Sequence, residues 1–224
     1  MLAEVRHKVT LMDLFAFAFS IFFVGFVIYL SKILEHKGIV SKDAMREIVH
    51  ITMGVWGVLW FLFDTQAMAT LLTAIVTTFL ILAPRNVRSL FSGGEERHIG
   101  LILYSIMFTV ITALFWKTRI GSLSIFTLAF GDGFAGLIGK RYGKHKIKVF
   151  WSKVRSVEGS ISFFVATAFS WLLAWIIYGG ALYVIPMLIF ALAMSIVEAL
   201  SPPHTDNVLV PLFAIVFYYL LIGA

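Results

Sequence analysis

The residues best suited to chemistry lie around one aspartate, Asp132, which sits inside a long apolar segment. A carboxylate within a membrane span costs roughly 2.5 kcal/mol or more to insert, so it is usually kept for function. A second acid, Glu158, begins the next apolar segment. Between the two acids lie the cations of the longest basic stretch: Lys140, Arg141, Lys144, Lys146, Lys148, Lys153 and Arg155. Acids beside cations are typical of a metal–triphosphate site, where magnesium bridges phosphate oxygens and Lys or Arg neutralises charge.

Each of these features also has a structural explanation, and for Asp132 it is a carboxylate that merely pairs with a neighbouring lysine. Basic runs beside a membrane commonly set orientation or bind anionic headgroups. Gly131, Ala135, Gly139 and Gly143 recur every four residues and would form one small-residue face on a helix. Such a face is typical of close helix packing and is equally compatible with the approach of a ligand to the backbone. The spacing is that of neither a P-loop nor a dinucleotide-binding fingerprint.

Two further groups of polar residues have the chemistry of ligands. Glu198 ends one apolar segment, and Asp206 with Asn207 begins the next. Their oxygens are of the hard type that magnesium prefers, although Asp and Asn before a helix are equally well explained as caps. Arg46 and His50 are one helical turn apart and share a face. The histidines of the chain do not have the spacing of a zinc site.

The composition places these residues in a membrane protein. Hydrophobic residues make up 60% of the 224 and the mean hydropathy is +0.96, whereas an average soluble domain is about 45–50% apolar. The sequence contains no cysteine, which excludes disulfides, thiolate metal ligands and cysteine nucleophiles. We therefore predict an all-α, polytopic transmembrane helix bundle that forms one membrane-embedded domain over residues 1–224.

Apolar runs separated by Pro, Gly and charged clusters predict about eight membrane spans. The predicted spans are Leu14–Leu34, Ile48–Phe63, Ala67–Ala83, Ile99–Trp116, Ile120–Gly139, Ile161–Tyr178, Leu182–Leu200 and Val208–Ile222. The first run is too long for a signal-peptide core and lacks a small-residue cleavage site, so it is predicted to be a retained span.

Lysine and arginine divide unequally between the two ends of such a bundle. Four of the 18 fall on the side of the N-terminus and fourteen on the other. Because cytoplasmic loops carry the excess of Lys and Arg, the side with fourteen is predicted to face the cytoplasm. The acids and histidines named above fall on that same side. The pattern therefore indicates an active site open to a cytoplasmic nucleotide.

Taken in order, the polar motifs resemble those of the polyprenol kinase family, which contains dolichol kinase, phytol kinase and a CTP-dependent diacylglycerol kinase. The resemblance covers about residues 46–211, and its motifs are R-x-x-x-H-x-x-x-G from Arg46, E-x-R-H-x-G from Glu95, G-D-x-x-A-x-x-x-G from Gly131, E-G-S from Glu158, and E-A-x-x-x-P-x-x-D-N from Glu198. Two of these are similar to CDP-diacylglycerol synthases as well, but the longer motif of those enzymes around a second aspartate is absent. Arg155 replaces a family lysine and keeps its charge.

The resemblance implies that the chain transfers the terminal phosphate of CTP to a long-chain isoprenoid alcohol from the bilayer, of the dolichol, phytol or geranylgeraniol type. The cofactor it implies is Mg²⁺ or a similar divalent cation. The expected catalytic residues are Asp132, Glu158 and His50, with Asp132 either accepting the alcohol proton or holding the metal. The expected metal ligands are Asp132, Glu158, Asp206, Asn207 and Glu198. The residues expected to bind the nucleotide phosphates are Lys140, Arg141, Lys144, Lys146, Arg155, Gly131, Gly139, Arg46 and Arg97.

Two other functions remain open at this point. The first is a cytidylyltransferase that makes a CDP-activated lipid. The second is a transporter or anionic-lipid binder that uses the basic stretch without catalysis. The products distinguish them, because a kinase releases CDP, a cytidylyltransferase releases pyrophosphate and a binder releases neither. A nucleic-acid partner is not expected, because the cations follow the membrane topology.

Overall fold

The apolar runs fold as helices, in which each backbone polar group is paired within its own segment, as lipid requires. The computed structural model describes residues 8–85, 87–88, 98–148 and 154–223, without the side chains of residues 42 and 43. The helices in these ranges are α1 (Leu11–His36), α2 (Lys42–Leu59), α3 (Gln66–Leu82), α4 (His98–Phe115), α5 (Arg119–Phe126), α6 (Asp132–Tyr142), α7 (Val157–Tyr178), α8 (Val184–Leu200) and α9 (Asp206–Ile222).

The predicted fold class, an all-α membrane helix bundle, is confirmed. Each of the eight predicted spans coincides with a helix, because α5 and α6 are joined by a π-helical turn at Thr127–Gly131 and replace one predicted span. By length and composition, four helices of the described ranges are sufficient to cross a membrane: Leu11–His36, His98–Phe115, Arg119–Tyr142 and Val157–Tyr178. Gln66–Leu82, Val184–Leu200 and Asp206–Ile222 are apolar but shorter.

One end of the bundle, called here the Asp13 end, is closed by hydrogen bonds between helix termini. Asp13 is fully buried, and its carboxylate accepts from the backbone N–H of Thr10, Asp64 and Thr65, each within 3.1 Å. Lys117 Nζ donates to the carbonyl oxygen of Phe63 at 2.6 Å. The starts of α1 and α3 are thereby joined to the connection between α4 and α5.

The interior between the helices is filled mainly by aromatic side chains. Trp60, Phe63, Phe126, Phe163 and Phe190 are fully buried in one continuous apolar core. Because dispersion contacts and close packing, rather than exclusion of water, hold helices together in lipid, such interdigitation is what gives the bundle a fixed geometry.

The predicted small-residue face lies in a helix crossing. A Cβ added to Gly131 would lie 2.8 Å from the ring of Phe163, and one added to Gly139 would lie 2.9 Å from Ser156 Oγ and 3.3 Å from Gly159 Cα. Close packing of α6 against α7 therefore accounts for this spacing. In the described residues, neither glycine has open space beside it for a phosphate.

The basic stretch contains a structure that hydropathy did not predict. Strand β1 (Lys146–Lys148) pairs antiparallel with β2 (Val154–Ser156), with Lys146 opposite Ser156. This short hairpin directs the chain from the end of α6 to the start of α7. Ser156 then caps α7 by accepting a hydrogen bond from the N–H of Gly159 at 3.1 Å.

Candidate active site

Three carboxylates, each from the end of a different helix, lie close together in the described structure. Asp132 begins α6, Glu198 lies near the end of α8 and Asp206 begins α9. One carboxylate oxygen from each lies within 4.8 Å of the others. We call these three residues the acidic triad. The π-helical turn before Asp132 adds an extra residue to the helix there, a distortion that occurs frequently at functional sites.

The acidic triad suits a hard divalent cation. In an octahedral magnesium site with bonds of 2.0–2.1 Å, adjacent oxygens are about 2.9 Å apart and opposite oxygens about 4.2 Å apart. The three carboxylate oxygens lie within 4.8 Å of one another, so side-chain rotations would have to bring them closer to hold the ion. Asn207, the next residue on α9, is also largely buried, and its Oδ1 has no hydrogen-bond partner among the described residues, while its Nδ2 donates to the carbonyl oxygen of Gly100 at 3.1 Å. The oxygens present therefore fit magnesium.

Arg155 compensates two of these negative charges. Its guanidinium is 3.0 Å from Asp206 Oδ2 and also contacts Glu198 Oε1. Since the Glu198 side chain is only 2% exposed, its charge needs a nearby cation. The structure thus brings this predicted phosphate-binding residue to the predicted metal ligands, at the edge of the acidic triad.

His50 lies on the other side of Asp132. His50 Nε2 is 3.7 Å from Asp132 Oδ2, and its ring is stacked at a tilt against Tyr104, with 4.2 Å between centroids. The Tyr104 hydroxyl donates to the His50 carbonyl oxygen at 3.3 Å. The two predicted catalytic residues of α2 and α6 are therefore neighbours, and an aromatic ring fixes the position of the imidazole.

A buried glutamate organises two of the predicted phosphate-binding cations. Glu47 is fully buried one turn before His50, and its Oε1 accepts from Lys140 Nζ at 2.8 Å and from the guanidinium of Arg46. A Cβ on Gly136 would lie 2.5 Å from the same carboxylate, so glycine at this position leaves room for it. The contact ties α2 to α6. It orients Lys140 and Arg46 at the end of the bundle opposite the Asp13 end, which is called here the Asp132 end.

Glu158 is placed differently from the acidic triad. Its Oε1 is 2.7 Å from His145 Nδ1 and accepts from the backbone N–H of the same residue at 3.2 Å. These contacts close the base of the β1–β2 hairpin. Glu158 lies at the same end of the bundle as Asp132, but the structure does not bring it into the group of three carboxylates.

The remaining predicted cations surround this end. Arg141, Lys144 and Lys146 are exposed, and the guanidinium of Arg141 lies 5.5 Å from the ring centroid of Tyr142. Arg97 and the neighbouring Glu95 lie outside the described residues. The structure therefore concentrates positive charge around the acidic triad, from Arg155, Lys140 and Arg46 close by to the basic stretch further out.

An apolar cavity of about 330 Å³ opens beside this site, between α1, α2, α3 and α4. Its volume falls within the range of about 300–1,000 Å³ that is usual for ligand sites. The hydroxyls of Ser20, Thr52, Thr73 and Ser105 in its lining all bond backbone carbonyl oxygens of their own helices. His50 also lines the cavity, and its imidazole connects the apolar space to Asp132.

Three residues of the site, Glu47, Tyr104 and His145, were not predicted from the sequence, and only Glu47 has a recognisable signal there. Glu47 lies three residues before His50 and so shares its helical face, next to Arg46. Tyr104 belongs to a mainly apolar helix, and nothing in its spacing relates it to His50. The pairing of His145 with Glu158 follows from the hairpin, which the run of lysines concealed.

Comparison with curated proteins finds relatives over most of the chain. The probable phytol kinase 1, chloroplastic, of Oryza sativa subsp. japonica is 30% identical over 220 residues, which cover 85% of this chain and 68% of the relative. The phytol kinase of Synechocystis sp. is 26% identical over 199 residues, with 85% and 84% covered. The farnesol kinase, chloroplastic, of Arabidopsis thaliana is 26% identical over 211 residues, with 83% and 67% covered. No protein-family profile and no solved structure matches the chain.

Proposed function

Because the chain belongs to the polyprenol and phytol kinase family, we propose that it transfers the terminal phosphate of CTP to the hydroxyl of an isoprenoid alcohol. Its relatives include kinases of phytol and of farnesol, which supports the general activity of a lipid-alcohol kinase. CTP as the phosphate donor follows from the family resemblance. The excess of lysine and arginine at the Asp132 end supports a site that faces the cytoplasm.

The observation that carries the proposal is the position of His50 and Asp132 between two unlike spaces. On one side lies the apolar cavity, and on the other lie the acidic triad and its surrounding cations. A lipid-alcohol kinase must bring a water-soluble triphosphate to the hydroxyl of a hydrocarbon chain. This arrangement offers an apolar space to the chain and a charged site to the triphosphate. The reacting oxygen of the alcohol then belongs beside His50, because the rest of the lining offers it no other imidazole or carboxylate in the described residues.

The reaction forms a bond between the alcohol oxygen and the terminal phosphorus and breaks the bond from that phosphorus to the bridging oxygen, releasing CDP. The proton of the alcohol is taken up by the Asp132–His50 pair. Asp132, Glu198 and Asp206 would hold the divalent cation, which when bound supplies charge neutralisation at the phosphate oxygens. Lys140, Arg46 and Arg155 neutralise the remaining charge. The acceleration then arises from positioning and electrostatics, as is usual for phosphoryl transfer.

The cavity favours a short isoprenoid alcohol over a long polyprenol. From His50, where the hydroxyl is placed, its lining on α2 extends to Leu59, nine residues further or about 14 Å of helix. This is roughly half of the ~30 Å thickness of membrane hydrocarbon. Alcohols of the phytol, farnesol and geranylgeraniol type are therefore proposed before dolichol, whose longer chain would have to leave the cavity.

A substrate panel with the purified protein tests the proposal. CTP, ATP, GTP and UTP are each combined with phytol, farnesol, geranylgeraniol, dolichol and phosphatidic acid in the presence of Mg²⁺, and both the lipid products and the nucleotide products are measured. The expected result is a phosphorylated short alcohol with release of CDP. Pyrophosphate release with a phosphatidic-acid substrate would instead identify a cytidylyltransferase. If no nucleotide is turned over with any lipid, the kinase proposal is wrong and the non-enzymatic alternative is favoured.

A further inference from the structure

Gly25 differs from the other glycines that lie within the described helices. A Cβ on Gly54, Gly57, Gly133 or Gly136 would lie 2.3–2.6 Å from a neighbouring side chain, so close packing explains each of them. A Cβ on Gly25 would meet no atom of the described residues within 4 Å. Because glycine is a poor helix former, its presence in the middle of α1 is not explained by packing against that part of the chain.

The space beside Gly25 is the apolar cavity. Gly25 and Ile21 line it from α1, and Val76 and Phe79 line it from α3. All four residues are exposed: Ile21 is 54%, Val76 45% and Phe79 51% exposed. The opposite wall contains buried residues such as Trp56 and Phe108. Among the described residues, the cavity is therefore closed towards the core and is accessible at the wall that α1 and α3 form.

The distance of this opening from the Asp13 end can be estimated along the helices. The reference point is the pair of hydrogen bonds that Asp13 accepts from Asp64 and Thr65. Gly25 lies twelve residues beyond Asp13, about 18 Å along α1. His50 lies nine residues before the end of α2, which with the 3₁₀ turn Trp60–Leu62 places it about 20 Å from the same bonds. Gly25 and His50 are thus at nearly the same depth, on facing walls.

We propose that the gap between α1 and α3 is the lateral portal through which the alcohol enters from the bilayer, and that Gly25 determines its width. This inference rests on the proposed function. The missing side chain leaves room for the branched chain of the alcohol at the level where its hydroxyl reaches His50. A larger residue at this position would narrow the portal without displacing any packed neighbour. Gly25 would then act on the lipid substrate and leave the nucleotide site unchanged.

The absence of cysteine from the sequence permits a direct test. Gly25→Cys introduces a single thiol at the portal, and a bulky methanethiosulfonate reagent then attaches a group that a reducing agent can remove. Ala18→Cys, an exposed position on the same helix outside the cavity lining, is the matched control. Activity is measured with geranylgeraniol and CTP before modification, after it, and after reduction.

Modification of the Gly25→Cys variant is expected to raise the KM for geranylgeraniol about tenfold, the effect of keeping two methylene groups out of the cavity. The KM for CTP should stay within about twofold, reduction should restore the original KM for geranylgeraniol, and the Ala18→Cys control should not respond. An unchanged KM for geranylgeraniol after complete modification would overturn the portal.

A second measurement separates the portal from the kinase proposal. Geranylgeraniol, added without nucleotide, should slow the modification of Gly25→Cys but not that of Ala18→Cys. If this protection is seen although no alcohol is phosphorylated, the portal stands and the kinase proposal fails. If the alcohol is phosphorylated but gives no protection, the kinase proposal stands and the portal is wrong.

Discussion

His50 Nε2 lies 3.7 Å from Asp132 Oδ2, so a single contact joins the lining of the apolar cavity to the acidic triad. This contact joins α2 to α6 at the point where the π-helical turn ends. In the proposed reaction, the alcohol oxygen and the terminal phosphate would meet at this contact, with the hydrocarbon chain in the cavity and the nucleotide among the charged residues.

Replacing Asp132 with Asn should lower turnover about 100-fold or more, because the variant loses both a proton acceptor and a metal ligand. The measurement is nucleotide-dependent phosphorylation of geranylgeraniol. Asp64→Asn is the matched control, since Asp64 lies at the Asp13 end and accepts a hydrogen bond from Thr10. Near-normal turnover of Asp132→Asn, with its folding intact, would contradict an essential role for Asp132.

Glu198→Gln and Asp206→Asn should each raise the Mg²⁺ concentration needed for half-maximal activity about tenfold, because each removes one charged ligand of the acidic triad. The same variants should reduce the increase in melting temperature that Mg²⁺ produces, a readout independent of catalysis. Glu158→Gln is expected to change both quantities far less, since Glu158 pairs with His145. An equal effect of all three variants would place Glu158 among the metal ligands.

Replacing Glu47 with Gln should lower the free energy of unfolding by about 2 kcal/mol, because two charge-assisted contacts of a buried carboxylate are lost. The KM for the nucleotide should rise, since Lys140 and Arg46 lose the group that orients them. Chemical denaturation and nucleotide kinetics measure the two effects. Glu35→Gln, the same change in the last turn of α1, is the control. Unaltered stability of the Glu47 variant would show that the buried contact contributes little.

Trp56→Leu should enlarge the closed side of the apolar cavity and favour longer alcohols. We expect the kcat/KM for geranylgeraniol to rise about fourfold relative to that for farnesol, as burial of one additional methylene group would give. Trp175→Leu is a suitable control, because the indole of Trp175 donates to Gly180 at the Asp13 end, outside the cavity lining. An unchanged ratio between the two alcohols would mean that Trp56 does not limit chain length.

The sequence was sufficient to predict the helix bundle and to predict at which end of it the polar residues meet. A long apolar run in lipid folds as a helix, because its backbone polar groups must be paired within the segment. Each predicted span therefore coincides with a helix. Glu198 and Asp206 were selected from motif order and ligand chemistry, and the structure does bring them to Asp132. Their roles as metal ligands stay predictions.

Other parts of the site depend on contacts that no local pattern contains. Arg155 reaches Asp206 across 51 residues of sequence, and Lys140 reaches Glu47 across 93. The apolar cavity lies where α1 packs less closely against α3 than against α2, whereas hydropathy gives every apolar face the same weight. The glycine spacing at Gly131–Gly143 was compatible with both helix packing and ligand approach, and the structure places it in the packed crossing of α6 and α7. The isolated Gly25 belongs to no such pattern in the sequence.

The bonds of Asp13 to the start of α3 have a dynamic consequence. α1 and α3 begin at the same bonded corner and run in the same direction, so a tilt of α1 about that corner moves its far part most. At Gly25, about 18 Å along the helix, a tilt of about 5° would displace the backbone by roughly 1.6 Å. Small thermal oscillations of one peripheral helix would thus be amplified at the level of His50, while the corner itself stays still.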